Sequence, residues 1–152
     1  MVERRGEMNL LGTYSNTLDA KNRVFFPAKF REDLGPSFVI TVNLDKCLSV
    51  YSLDEWEKYT EKLKSLPKTK VLEITRFICG LAMNATPDAQ GRVMLTRELV
   101  EYASLKPGKD GVTFIGCGDR VEIWPAGSTA IPDLYNAAKV DEIRDLMLEF
   151  GL

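Results

Sequence analysis

The stretch Leu18-Asp-Ala-Lys-Asn-Arg-Val-Phe-Phe-Pro27 occurs in a second version midway along the chain, as Pro87-Asp-Ala-Gln-Gly-Arg-Val-Met-Leu-Thr96. Aspartate, alanine, arginine and valine recur in register, and two apolar residues follow the valine in each copy. Each copy then runs into a helix-start signal, Pro27 in the first and Thr96 in the second. A motif that returns together with its flanking pattern predicts two similar structural units on one chain.

The middle of each copy predicts a tight turn that enters a short strand. Asn22 and Gly91 occupy the same position, and these residue types most readily accept a positive φ. The apolar residues that follow each arginine are β-prone. Aspartate and arginine lie four residues apart, so we expect them to pair across the turn and to hold its shape. An exposed pair of this kind contributes only about 0–1 kcal/mol to stability.

The repeated unit, with its strand and short helix, resembles the MraZ family, whose members carry two tandem SpoVT-AbrB-type swapped-hairpin domains. The resemblance covers about residues 11–150, and it includes Gly12-x-Tyr14, Leu48-Ser-Val-Tyr51 leading to Trp56, and Val121-Glu-Ile-Trp124. This chain departs from the family at two turn positions. Asn22 stands where glycine is usual, and Gln90 stands where a lysine would add a charge.

The resemblance implies an α+β fold of two tandem swapped-hairpin, AbrB-like β-barrel repeats that form an intrachain pseudo-dimer. We expect residues 11–56 to form the first repeat, 57–80 the connecting helices, 81–126 the second repeat and 127–152 a C-terminal helix. A unit of about 45 residues buries too little surface to be stable alone, so two units are expected to share one core.

Local signals predict the individual elements. Residues 13–18 are expected to form an outer strand that pairs across the turn with residues 23–26. Strands at 37–42 and 47–51 flank turn chemistry at 43–46, and strands at 112–116 and 120–124 match them in the second half. Ser52 and Glu55 form a capping box that opens a helix, which Pro67 ends, and a further helix is expected over residues 68–78.

The two ends of the chain carry separate expectations. Residues 1–8 are expected to be poorly ordered, with Met8 as an alternative start. Residues 125–129 are expected to be a linker, and residues 131–150 an amphipathic helix. Its apolar side chains are Leu134, Ala138, Ile143, Leu146, Met147 and Phe150. This apolar stripe packs either on its own chain or on a neighbouring one, and the sequence does not decide between the two.

Composition limits the functions that the chain can have. Hydrophobic residues make up 45% and charged residues 28% of the 152 positions, which is typical of a soluble globular protein. No apolar run approaches the roughly 20 residues that span a bilayer. The chain has no histidine, so histidine-based nucleophile pairs and most zinc sites are excluded. We therefore expect no enzymatic activity, no catalytic residues, no cofactor and no metal site.

The three cysteines, Cys47, Cys79 and Cys117, are widely spaced and odd in number. They are interpreted as small buried hydrophobic residues in a reduced, cytoplasmic compartment. The formal net charge is −2, but the charge is unevenly distributed. Four basic residues lie between positions 21 and 31 with no acidic residue among them, and the acidic residues cluster elsewhere. A basic face on an acidic body still attracts phosphate locally.

Resemblance to the MraZ family implies a sequence-specific DNA-binding transcriptional regulator of the bacterial division and cell-wall gene cluster. It further implies a homo-oligomer in a closed ring that binds direct repeats in promoter DNA and is cytoplasmic and nucleoid-associated. No membrane partner and no small-molecule substrate are expected. The alternative is a structural or partner-binding ring protein without DNA, which the acidic composition and the amphipathic tail would also suit.

Arg23 is the first candidate for DNA contact. The further candidates are Lys21, Asn22, Arg31, Arg92 and Gln90, whereas Asp19 and Asp88 are expected to orient the arginines. For each arginine a purely structural ion pair with its aspartate is the competing interpretation, and the two roles are compatible. Arginine reads guanine bidentately in the major groove, while lysine and backbone groups fix position on phosphate.

Overall fold

A computed structural model describes residues 9–128, 130–131, 133 and 135–152. The expectations for residues 1–8, for Thr129 in the linker and for Leu134 in the apolar stripe fall outside these residues. The described chain is α+β, with an antiparallel sheet and five helices. Its elements are β1 (Thr13–Thr17), β2 (Arg23–Phe25), α1 (Ala28–Leu34), β3 (Phe38–Val42), β4 (Leu48–Ser52), α2 (Leu53–Lys64), α3 (Lys68–Gly80), β5 (Met83–Ala85), β6 (Arg92–Met94), α4 (Arg97–Tyr102), β7 (Gly111–Gly116), β8 (Val121–Pro125) and α5 (Ala137–Glu149).

Six strands form one antiparallel sheet in the order β1-β7-β8-β4-β3-β5, and β2 and β6 form a separate two-stranded ribbon. The first strand of each half pairs with a strand of the other half, β1 with β7 and β5 with β3. The expected pairing of β1 with β2 is therefore wrong, because these segments share only the isolated bridge between Leu18 and Val24. Within the described residues the sheet stays open, with β1 and β5 as its edges, and no closed barrel is found.

The strand register is reciprocal between the two halves. In the ribbon, Val24 pairs with Val93, which occupies the same motif position, while Arg23 pairs with Met94 and Phe25 with Arg92. In the large sheet, Leu48 pairs with Ile123 and Val50 with Val121, so β4 and β8 also meet through equivalent segments. Each half thus presents the same backbone edge to the other.

Side chains from both halves fill one hydrophobic core. Phe26 lies at the end of the ribbon and contacts Phe38 of its own half and Phe114 of the other half, with ring centroids 4.9 and 5.0 Å apart. Phe30, Phe38 and Phe114 are fully buried. Burying an aromatic side chain of this kind contributes about 1.5–3 kcal/mol. The ribbon is therefore anchored in the core by Phe26, which follows β2, and by the buried Leu95, which follows β6.

The helices follow the local signals closely, except at the C-terminus. Helix α1 follows Pro27 and ends at Gly35, whose φ of 93° is accessible to glycine at little cost. The Ser52 hydroxyl accepts a hydrogen bond from the Glu55 N–H at 3.1 Å and caps α2. Helices α2 and α3 lie between the strands β4 and β5 in the chain. Helix α5 begins at Ala137 instead of residue 131, and Asn136 caps it.

Cys47 is buried, as expected, but Cys79 and Cys117 are exposed, which corrects the interpretation of all three as core residues. Cys79 lies near the end of α3, and Cys117 lies in the β7–β8 turn. Burial raises the pKa of the Cys47 thiol to about 12, so this thiol is not reactive near neutral pH. Among the described helices, none combines the length and apolar character needed to cross a membrane.

Candidate nucleic-acid interface

The first motif closes a compact turn around the carboxylate of Asp19. One carboxylate oxygen accepts hydrogen bonds from the backbone N–H groups of Lys21 and Arg23, both at 2.9 Å. The other accepts a bond from Nε of Arg23 at 2.6 Å. The Asn22 N–H donates to the Asp19 carbonyl at 3.1 Å. The same carboxylate therefore stabilises the turn and orients the arginine side chain.

The second motif reproduces this arrangement around Asp88. One of its carboxylate oxygens accepts bonds from the N–H groups of Gln90 and Arg92 at 2.9 Å, and the other accepts a bond from Nε of Arg92 at 2.9 Å. The Gly91 N–H donates to the Asp88 carbonyl at 2.9 Å. Pairing of aspartate with arginine four residues on, a geometry expected from the spacing, is thus present in both copies.

These hydrogen bonds lower the pKa of both carboxyl groups. For Asp19, burial alone would raise the pKa, but the hydrogen bonds from Arg23 and Lys21 outweigh it and hold the pKa below its usual value. For Asp88, the backbone hydrogen bond from Arg92 is the main cause of a similarly lowered pKa. Both carboxylates are therefore ionised at neutral pH and hold the arginines as charge-assisted pairs.

Arg23, Phe25, Arg92 and Met94 share one face of the ribbon, while Val24 and Val93 face the core. This outward face is called the ribbon face below. Strand alternation and register bring one arginine from each half onto it. The Cζ of Arg92 lies 5.9 Å from the centre of the Phe25 ring, within cation–π distance. Arg23 lies opposite Met94, which is 58% exposed.

Both arginines keep donors available on the ribbon face. Their side chains are 29% exposed for Arg23 and 23% exposed for Arg92. Each uses Nε for its aspartate, and within the described chain neither donates a further hydrogen bond through its terminal nitrogens. The aspartates thus orient two partly exposed arginines whose terminal nitrogens make no hydrogen bond within the described chain.

Lys21 and Gln90 lie at equivalent positions on the two turns, and both are exposed. Asn22, at the tip of the first turn, adopts a φ of 63°, and Gly91 at the second adopts 82°. These values agree with the positive φ expected at both positions. The first turn therefore carries a positive charge at its tip and the second carries a neutral amide.

Each turn is also fastened to the other half of the ribbon. The Phe26 N–H donates to the Gly91 carbonyl at 3.0 Å, and the Leu95 N–H donates to the Asn22 carbonyl at 2.8 Å. The Gly108 N–H further donates to the Leu18 carbonyl at 2.9 Å, so the loop before β7 supports the first turn. The positions of the two turns are therefore coupled through the backbone.

Arg31 does not belong to the ribbon face. Its Nε donates to the Phe26 carbonyl at 3.1 Å, and its guanidinium lies against Gly91 of the other half. A Cβ built on Gly91 would stand 2.8 Å from Cζ of Arg31. Arg31 therefore braces the second turn from the side.

Replacing Gly91 with alanine is expected to destabilise the protein by about 1–2 kcal/mol, because an L side chain is strained at this positive φ. The new methyl group must also displace Arg31 from its bond to Phe26. Urea denaturation measures the change. Asn22→Ala is the matched control, since it places alanine at a similar φ without that contact, and it should cost less. Equal losses in the two variants would contradict a bracing role for Arg31.

Two residues of the ribbon face, Phe25 and Met94, were not singled out from the sequence. The alternation of side chains along a strand would have predicted them, because it places Phe25 on the same face as Arg23 and Met94 on the same face as Arg92. Within the part of the chain that the structure describes, no group of histidine, cysteine or carboxylate side chains is arranged to hold a metal ion.

These observations define a class of protein, a two-repeat α+β chain that displays one arginine from each half on a shared ribbon. Comparison with known families agrees with this class. The family model described as "MraZ protein, putative antitoxin-like" matches residues 10–75 and 78–128. The chain belongs to the MraZ family.

Several curated relatives are similar over most of the chain. A protein of Caldanaerobacter subterraneus is 51% identical over 117 residues, which cover 76% of this chain and 80% of that protein. A protein of Clostridium acetobutylicum is 40% identical over 146 residues, and one of Carboxydothermus hydrogenoformans is 41% identical over 150 residues. Both alignments cover 93% of this chain and 99% of the relative. All three relatives are named transcriptional regulator MraZ.

Proposed function

We propose that this protein is a sequence-specific DNA-binding transcriptional regulator and that the ribbon face makes the contact with DNA. The observation that carries the proposal is the duplicated turn, in which an aspartate orients a partly exposed arginine on the ribbon face in each half. The relatives' name, transcriptional regulator, supports the same conclusion. It describes a regulator and not an enzyme, and no catalytic role is proposed.

A two-stranded ribbon has dimensions that the major groove of B-DNA accommodates. Arg23 and Arg92 lie on one face of such a ribbon, and the terminal nitrogens of an oriented guanidinium suit the two acceptors of a guanine edge. Lys21, Asn22 and Gln90 lie on the flanking turns, where backbone phosphates would be within reach. Arg31 is proposed to contribute by holding the second turn in place.

The proposal includes an architecture of two interlocked swapped-hairpin repeats acting as an intrachain pseudo-dimer. Pairing of β1 with β7 and of β5 with β3, together with the reciprocal ribbon register, supports this architecture. We take residues 11–56 and 81–126 as the repeats, 57–80 as the connection and 127–152 as a C-terminal helical segment.

We further propose that copies of the chain assemble into a closed ring that binds direct repeats in the promoter of the division and cell-wall gene cluster, at the bacterial nucleoid. One ribbon face carries few cationic side chains on a chain with a net charge of −2, so a single unit should bind weakly. Neighbouring units that engage repeats about 10 bp apart would raise the effective concentration strongly.

Gel retardation with DNA from upstream of the protein's own gene, compared with an unrelated fragment of equal length, tests the proposal. We expect preferential retardation of the upstream fragment. Affinity should fall by about 10³-fold between 50 and 200 mM salt if roughly six phosphates are contacted across the assembly. Equal affinity for both fragments would contradict sequence-specific binding. Absence of binding to either at low salt would favour a partner-binding ring without DNA.

A further inference from the structure

Helix α5 exposes an apolar stripe that the described chain does not cover. Leu146, Met147 and Phe150 are 53%, 43% and 73% exposed, and their spacing of one, three and four residues places them on one helix face. Within the described ranges no residue of α5 is buried. An isolated helix of 13 residues is only marginally stable in water, so we expect this face to pack against another apolar surface.

A second uncovered apolar surface lies between α2 and α3. This groove has a volume of about 470 Å³ and is lined by the buried Leu63, the partly buried Val71 and the exposed Cys79. Thr60 and Thr75 also line it, together with the exposed Lys64 and Lys68, which are called its rim below. Leu72, next to Val71 on α3, is 50% exposed. The lining residues on α3 run from Lys68 to Cys79, which is nearly the whole of this 13-residue helix and matches the 13-residue length of α5.

The charges of the two surfaces are complementary. Helix α3 has three basic residues and one acidic residue, whereas α5 has four acidic and two basic residues. Lys68 at the groove rim makes no ion pair within the described chain, and neither does Glu149, three residues after Leu146. Glu142 lies four residues before Leu146 but pairs with Lys139 of its own helix at 3.2 Å, and Lys64 pairs with Glu61 at 3.4 Å. Lys68 and Glu149 therefore carry the complementarity between the two surfaces.

We propose that the α2–α3 groove is the docking site for helix α5 of a second copy of this chain. The inference rests on the proposed self-assembly and names the two surfaces that would carry it. Each subunit offers one groove and one helix, so the contact is heterologous, and repetition of it generates a ring when the rotation closes. Apolar burial supplies affinity, and the lysine rim facing acidic residues fixes the direction of the helix.

Cys79 provides a native thiol probe in the lining of the groove. In a full-length Cys117→Ser background, Met147→Cys adds a thiol to the apolar stripe of α5, and Asp145→Cys adds one to the polar face as the matched control. A short bismaleimide should move most of the Met147→Cys protein into bands of two or more chains. The Asp145→Cys protein should stay monomeric on denaturing gels, and so should Met147→Cys protein that also carries Cys79→Ser.

Each outcome decides the proposal. Bands of two or more chains that require both Cys79 and the Met147→Cys substitution support it. Crosslinking confined to single chains would overturn it and place α5 on its own groove, and absence of crosslinking would overturn it as well. The same samples are tested for promoter retardation. Crosslinking without retardation would overturn the proposed DNA-binding function alone, whereas retardation without crosslinking would overturn the docking alone.

Charge reversal gives an independent readout. Lys68→Glu changes the groove rim, and Lys70→Glu makes the same change on a face of α3 that does not line the groove. We expect the crosslinked fraction of the Met147→Cys protein to fall several-fold with Lys68→Glu and to stay unchanged with Lys70→Glu. Equal yields from the two variants would contradict the proposed position of α5.

Discussion

Replacing Arg23 with alanine is expected to abolish retardation of the upstream promoter fragment while leaving the mass of the oligomer unchanged. A bidentate contact between arginine and a base is worth about 1–3 kcal/mol. The loss recurs at every subunit that touches a repeat, so multivalent binding magnifies it. The side chain is on the outward face and 29% exposed, so its removal should leave the core intact. Gel retardation and light scattering measure the two properties.

Arg76→Ala is the matched control, because Arg76 is an exposed arginine on α3 that lies outside the ribbon face. It removes the same charge and should change affinity little. Arg23→Lys keeps the charge but loses the planar fork of donors, and it should bind the upstream fragment less specifically. An Arg23→Ala protein of unchanged mass that binds the promoter as tightly as wild type would show that Arg23 acts only as the ion-pair partner of Asp19.

Replacing Phe26 with alanine is expected to lower the free energy of unfolding by about 3–5 kcal/mol, the usual cost of removing a buried aromatic side chain. Phe26 is 3% exposed and contacts Phe38 in one half and Phe114 in the other, so its loss opens a cavity where the halves meet. Urea denaturation followed by circular dichroism gives the value.

The adjacent Phe25→Ala variant is the control. Phe25 is only partly buried and lies beneath Arg92 on the ribbon face, so its removal should cost clearly less stability. It should instead weaken DNA binding, because Arg92 loses the ring that supports it. If Phe25→Ala lost as much stability as Phe26→Ala, Phe25 would be a core residue and not a residue of the DNA-binding surface.

Local chemistry explains why many elements were predictable. The turns at Asn22 and Gly91, the Ser52 cap and the end of α1 at Gly35 each depend on a few neighbouring residues. The pairing of β1 was predicted wrongly because a strand's partner is set by packing over long sequence distances. Local alternation fits β2 and β7 equally well. Closure into a barrel depends likewise on where the edge strands meet, which no local pattern encodes.

In the candidate site, too, local features were predictable from the sequence and long-range contacts were not. The spacing of Asp88 and Arg92 predicted their ion pair, which depends on one turn alone. The contact of Arg31 with Gly91 joins residues from different halves, so it required the fold to be known. Exposure of Cys79 was missed because its apolar neighbours in sequence, such as Ile78, resemble a buried helix face. Whether such a face is covered depends on the elements that pack over it.

The covalent link between the two halves gives the ribbon a direction. Two identical subunits related by symmetry must present identical tips, whereas two halves of one chain are free to diverge. Here one tip carries Lys21 and the other carries Gln90. Arg31 packs against the second turn, whereas the equivalent position in the second half is Val100, so the first turn has no basic residue in that place. A DNA-binding ribbon with two unequal ends distinguishes the two orientations of a DNA site. Such polarity suits sites arranged head to tail better than palindromes.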